Sequence, residues 1–135
     1  MAFQLSPGAR NGTLQSLETT VGANPILTIA TGVAPTECQS ANTGNIVATM
    51  VLPTEWLAVP SGGVIQLSGN WQDLSADASS TAGYFRIHQS DGTVCHMQGT
   101  ITASGAGGDM QLDNTNIAIG QQITITTFSI TAGGA

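Results

Sequence analysis

The chain of 135 residues contains no lysine, and Arg10 and Arg86 are its only fixed cations. Charged residues make up 7% of the total, against about 25% in an ordinary soluble domain. Nucleic-acid binders cluster Lys and Arg to neutralise phosphates, and two arginines with a net charge of −6 exclude DNA or RNA as a direct partner. The same shortage excludes anchoring on an anionic membrane surface. No apolar run approaches the roughly 18 residues of a spanning helix. The opening Met1-Ala2-Phe3-Gln4-Leu5-Ser6-Pro7 has neither a basic n-region nor an apolar h-region, so no Sec export is expected. Cysteine is scarce too. Without a secretory signal, Cys38 and Cys95 read better as two reduced, buried thiols than as a disulfide.

Catalytic signatures are also missing. No serine lies in a Gly-x-Ser-x-Gly elbow, and neither cysteine has a Cys-x-x-Cys partner. Gly105-Ala106-Gly107-Gly108-Asp109 lacks the lysine and the helix of a phosphate loop. Asn11-Gly12-Thr13 matches a glycosylation sequon that has no meaning without export. The expectation is a protein that is not an enzyme and needs no cofactor.

What the chain does have is a 41% apolar content, enough for a core at a length that suits one domain over residues 1–135. Folding at this size buries roughly two-thirds of the extended surface. The polar surface must be built from Thr, Ser, Asn, Gln and Gly. Taking a hydroxyl or an amide out of water costs far less than taking out an ion. Such a surface favours a protein that works packed against neighbours.

Ser6 as cap, Pro7 in the first turn, Leu14, Leu17 and Val21 on one face and Gly22 as the stop predict an N-terminal helix. Strand patterns dominate afterwards, over residues 25–31, 46–52, 64–71, 110–112, 117–119 and 123–131, with a bulge expected at Thr126-Thr127. The small, polar stretch 76–83 reads as a mobile loop. Asp91-Gly92 between two alternating runs marks a hairpin over residues 84–102. A three-residue loop at 91–93 puts Phe85 and Ile87 on one face with Cys95, Met97 and Gly99, making Cys95 a core residue. Tyr84, Arg86, His88, His96 and Gln98 then share the other face. One helix and about eight strands, punctuated by Gly and Pro, are the pattern of a β-sandwich or jelly roll.

Three clusters carry potential chemistry. His88 and His96 approach each other across the hairpin near Asp91, but a metal site needs three or four convergent ligands; two surface imidazoles beside Arg86 are the simpler reading. Asp109, Asp113, Asn114 and Asn116 offer oxygens for calcium, yet Asp and Asn at strand ends are turn formers. Glu55, Asp73 and Asp77 lie near Trp56 and Trp71, as acids and tryptophans do in sugar clefts. Two tryptophans are equally what an ordinary core uses.

The order Arg10-Asn11-Gly12-Thr13-Leu14-Gln15-Ser16-Leu17-Glu18-Thr19-Thr20-Val21-Gly22, Ile26-Leu27-Thr28-Ile29-Ala30-Thr31-Gly32, Leu52-Pro53-Thr54-Glu55-Trp56, Gly69-Asn70-Trp71-Gln72-Asp73 and Phe85-Arg86-Ile87 before Asp91-Gly92-Thr93 covers nearly the whole chain. It resembles the small capsid cement (head decoration) proteins of short-tailed bacteriophages such as the Bordetella phage. The resemblance implies a jelly-roll-like β-sandwich that clamps neighbouring capsomers of the major capsid protein from outside. It also implies a homo-oligomer, a dimer before a trimer, placed on the virion exterior after assembly in the host cytoplasm. It implies no cofactor. Aromatic anchors supply most of the energy of a typical interface, which makes Phe3, Trp56 and Trp71 the candidate anchors. A tail, neck or fibre component, or a carbohydrate-binding module, are the alternative readings.

Overall fold

A computed structural model describes residues 3–134. It is mainly β with one helix, α1 (Pro7–Val21). The sequence signals set both ends of α1. Ser6 Oγ accepts from the Ala9 N–H at 3.1 Å, Pro7 occupies the first turn, and Gly22 at φ 88° closes the helix with its N–H on the Glu18 carbonyl. A residue with a side chain is strained at that φ, which is why glycine ends the helix there. Leu14 and Val21 are buried. The polar residues of α1 fasten the chain beside it: Arg10 donates to the Gly62 carbonyl at 2.6 Å, Asn11 accepts from Gly63, and Glu18 accepts from the Leu57 N–H.

Eleven short strands follow, where the sequence suggested about eight: β1 (Ile26–Ala30), β2 (Ile46–Val51), β3 (Val64–Gln66), β4 (Trp71–Asp73), β5 (Ser80–Thr81), β6 (Tyr84–His88), β7 (Cys95–Ala103), β8 (Met110–Leu112), β9 (Asn116–Ile117), β10 (Ile123–Ile125) and β11 (Ser129–Thr131). Five of them form a curled sheet in the order β2-β1-β6-β7-β8, and the others pair as β10-β4, β11-β3 and β5-β9. The difference in number comes from two divided strands and from β5, which forms inside the stretch 76–83. The stretch 64–71 divides at Gly69, which takes φ 74°. The stretch 123–131 divides after Ile125, where β10 pairs with β4 and β11 pairs with β3. The phase slip at Thr126-Thr127 marks a complete change of partner and not a bulge. Phe128, just beyond it, turns into the core.

That core is one cluster of buried side chains. Leu27 and Ile29 of β1, Ala48 and Met50 of β2, and Phe85 and Ile87 of β6 point into it from one face of the sheet. An aromatic chain crosses it: Phe85 meets Phe128 edge-on at 5.5 Å between centroids, Phe128 meets Trp71 at 5.5 Å, and Trp71 meets Trp56 at 5.9 Å. These spacings lie within the 4.5–7 Å preferred by aromatic pairs.

The stretch 76–83 is tied down, contrary to the mobile loop expected of it. Ala76 and Ala82 are buried, and the N–H groups of Ala76, Asp77 and Ala82 donate to Gln121, Val47 and Thr115. Its small side chains let it pass close to the sheet, so its composition reflects packing.

The glycine run ends β7 in an unusual way. β8 pairs parallel to β7, with Ile101 beside Met110 and Ala103 beside Leu112. Only residues 104–109 connect them, where a parallel connection normally takes a dozen or more. Gly105 and Gly107 adopt φ 85° and 88°. Gly108 packs so closely that a Cβ would lie 2.8 Å from Thr102 Oγ1. The run, which lacks the lysine and helix of a phosphate loop, is a tight return.

Candidate functional site

The second face of the sheet holds a polar network. It is covered by the irregular segment 31–45, which joins β1 to β2. Arg86, in the middle of β6, is 3% exposed and is the one buried charged side chain among the described residues. Its guanidinium donates to the carbonyls of Cys38 and Ser40. Gln98, opposite it on β7, donates to the Pro35 carbonyl at 2.7 Å. The Tyr84 hydroxyl donates to Asn42 and accepts from the Gly44 N–H at 3.0 Å. Tyr84, Arg86 and Gln98 share a face as the hairpin pattern requires, but that face is covered and not open to solvent. Sequence reasoning missed the cover, because every bond to it spans some forty to sixty residues.

The hairpin body has the expected register. Phe85 lies opposite Gly99, Ile87 opposite Met97 and Arg86 opposite Gln98. The tip differs. Gln89 and Val94 close a four-residue loop, 90–93, and the register slips beyond Ile87 so that His88 faces Cys95. His96 is therefore the extra residue of a bulge, and the bulge turns Cys95 to the other face. Cys95 is thus half-buried against the covering segment and not in the core. Its Sγ lies 3.1 Å from Cys38 Sγ, and both cysteines are free thiols. Burial, the hydrogen bond to Cys95 and the Cys95 charge push the Cys38 thiol up to about 12, while Arg86 pulls the other way.

Most of the remaining sequence candidates have structural partners. His88 is pulled below its ordinary value, first by burial and then by the Arg86 charge. His96 contacts Gln89 at 3.3 Å. The Asp91 carboxylate accepts from the Thr93 N–H and hydroxyl and from Gln89, and these bonds hold its pKa low. Among the described residues, no three His, Cys, Asp or Glu side chains come together as a metal group. Asp109 accepts from the Thr100 N–H and hydroxyl, Asn114 accepts from the Asn116 N–H, and Asn116 accepts from Thr81. Asp73 caps the outer edge of β2 by accepting from the Thr49 N–H at 3.0 Å, and Asp77 accepts from the Thr49 hydroxyl. Glu55 is exposed in the turn before Trp56.

The anchor assignment is corrected for two of its three residues. Trp56 and Trp71 are 0% exposed. Each indole N–H is satisfied internally, Trp56 on Gly22 and Trp71 on the Trp56 and Ser68 carbonyls. They belong to the core and offer neither an anchor nor a stacking platform for a sugar. Phe3 is 83% exposed.

These residues define a small, mainly β protein with one helix and no free fixed cation on its described surface. Comparison with protein-family models, curated proteins and solved structures finds no match.

Proposed function

We propose that the chain is a structural virion protein, a capsid cement protein that binds the outside of a bacteriophage head and ties neighbouring capsomers together. It acts as a single jelly-roll-like β-sandwich domain and a homo-oligomer, performs no catalysis and uses no cofactor. The observation that carries this reading is the character of the surface. Both arginines donate to backbone carbonyls of the same chain, Arg86 from a buried position and Arg10 from a half-buried one. At the same time Phe3, Val33, Val59, Leu74 and Ile119 stand 68–88% exposed. An apolar and hydroxyl-rich surface is inexpensive to desolvate, and a partner of standard interface size, about 800 Å² per side, suffices for specific binding. Repetition over a lattice adds avidity, because each later contact of an oligomer is intramolecular.

The test is sedimentation of purified chain with heads assembled without it. Saturable binding at a fixed ratio to the major capsid protein is expected, weakened at least tenfold by Phe3→Ala. Chain left in the supernatant at every concentration refutes the proposal. Binding to tails in place of heads moves the protein to another part of the virion.

A further inference from the structure

We propose that Cys38 and Cys95 form a covalent modification site, a thiol pair that closes to a disulfide by exchange with a low-molecular-weight disulfide. Closure fastens the covering segment 31–45 to β7. The two sulfurs lie 3.1 Å apart although the residues are 57 positions apart in sequence. A disulfide bond is about 2.0 Å long, so closure requires a movement of roughly 1 Å. Cys38 can supply it, because segment 31–45 contains no helix or strand. Cys95 meets it only because the bulge at His96 turns that side chain away from the core. Nothing in a purely structural role requires a bulge to bring two thiols together beside a buried guanidinium.

One of the two cysteine thiolates attacks the incoming disulfide, forms a mixed disulfide and releases one small thiolate, which takes up a proton. The other cysteine, with its sulfur 3.1 Å away, loses its proton, attacks the protein sulfur of the mixed disulfide and displaces the second small thiol. Two protein thiols are oxidised, one small disulfide is reduced, and two small thiols leave. In a reducing compartment the pair stays open, and in oxidising surroundings it closes.

Oxidised glutathione added to the folded, full-length chain is the test, read by intact mass and peptide mapping. The expected product has lost two hydrogens and both titratable thiols, carries a Cys38–Cys95 cross-link within one chain and no lasting glutathione, and reopens with dithiothreitol. Cys38→Ser stops at one glutathione on Cys95. Cys95→Ser stops at one glutathione on Cys38. Wild-type chain that ends with two glutathione adducts, with both thiols untouched or with cross-links between chains overturns the proposal.

Discussion

Phe85→Ala tests the packing that holds the sheet to its aromatic core. Phe85 is 3% exposed, meets Phe128 edge-on at 5.5 Å and lies across Gly99 on the neighbouring strand. Truncating a buried phenylalanine costs about 3–5 kcal/mol, from lost transfer energy and from the cavity left behind. Here the lower end applies. A groove of about 560 Å³ between α1, β7 and β11 is lined by Phe85, Leu17, Met97, Phe128 and Ile130, so the vacated space joins an existing opening. We therefore expect about 3 kcal/mol, a large share of the roughly 5–15 kcal/mol that stabilises a domain. In urea titration followed by tryptophan fluorescence, with a slope of about 2 kcal/mol/M, the midpoint falls by roughly 1.5 M. A double-mutant cycle with Phe128→Ala should show a coupling of about 0.5–1.5 kcal/mol from the ring pair. A loss below about 1 kcal/mol, or no coupling, would mean that Phe85 does not face the core in this register.

Three further outcomes follow from the same contacts. Gly99→Ala should destabilise by about 1–3 kcal/mol through overpacking, because its Cβ would sit 2.7 Å from Phe85 Cε1 and 2.9 Å from Asp109 Oδ2; an unchanged urea midpoint refutes that closeness. Asp73→Ala should cost about 1.5 kcal/mol by removing the charged acceptor from the Thr49 N–H on the β2 edge, and a neutral result would show that water replaces it freely. His88, whose folded pKa lies below 6.5, binds its proton less readily folded than unfolded. Its contribution to stability is thus complete above 6.5 and declines as pH falls through the folded value. Urea midpoints measured between roughly pH 8 and pH 5 should fall less steeply for His88→Gln than for the wild type, and parallel curves would refute the assignment.

Local chemistry made some of this fold legible. Ser6, Pro7 and Gly22 state the limits of α1 in the sequence itself, and the alternation around Phe85, Ile87, Met97 and Gly99 specifies the body of the hairpin. What the sequence hides is non-local. The bulge at His96 turns Cys95 over without disturbing the alternation that precedes it, so Cys95 reads as a core residue. Trp56 and Trp71 carry no mark that separates a core ring from an interface ring; Trp56 lies inside against Trp71, and Trp71 between Trp56 and Phe128. The run 105–108 looks like a loose loop because parallel strands are rarely joined so briefly. The burial of Arg86 depends on carbonyls more than forty residues away, and so the polar face of the hairpin gave no sign of the segment that covers it.

The central claim is that a lysine-free, weakly charged surface is tolerated because a capsid covers part of it. Imaging heads saturated with the chain by electron cryomicroscopy tests this most directly. The account predicts regular extra density on the outer shell, bridging adjacent capsomers and in contact with them through exposed apolar residues such as Phe3. Heads indistinguishable from untreated ones at saturating chain would contradict it.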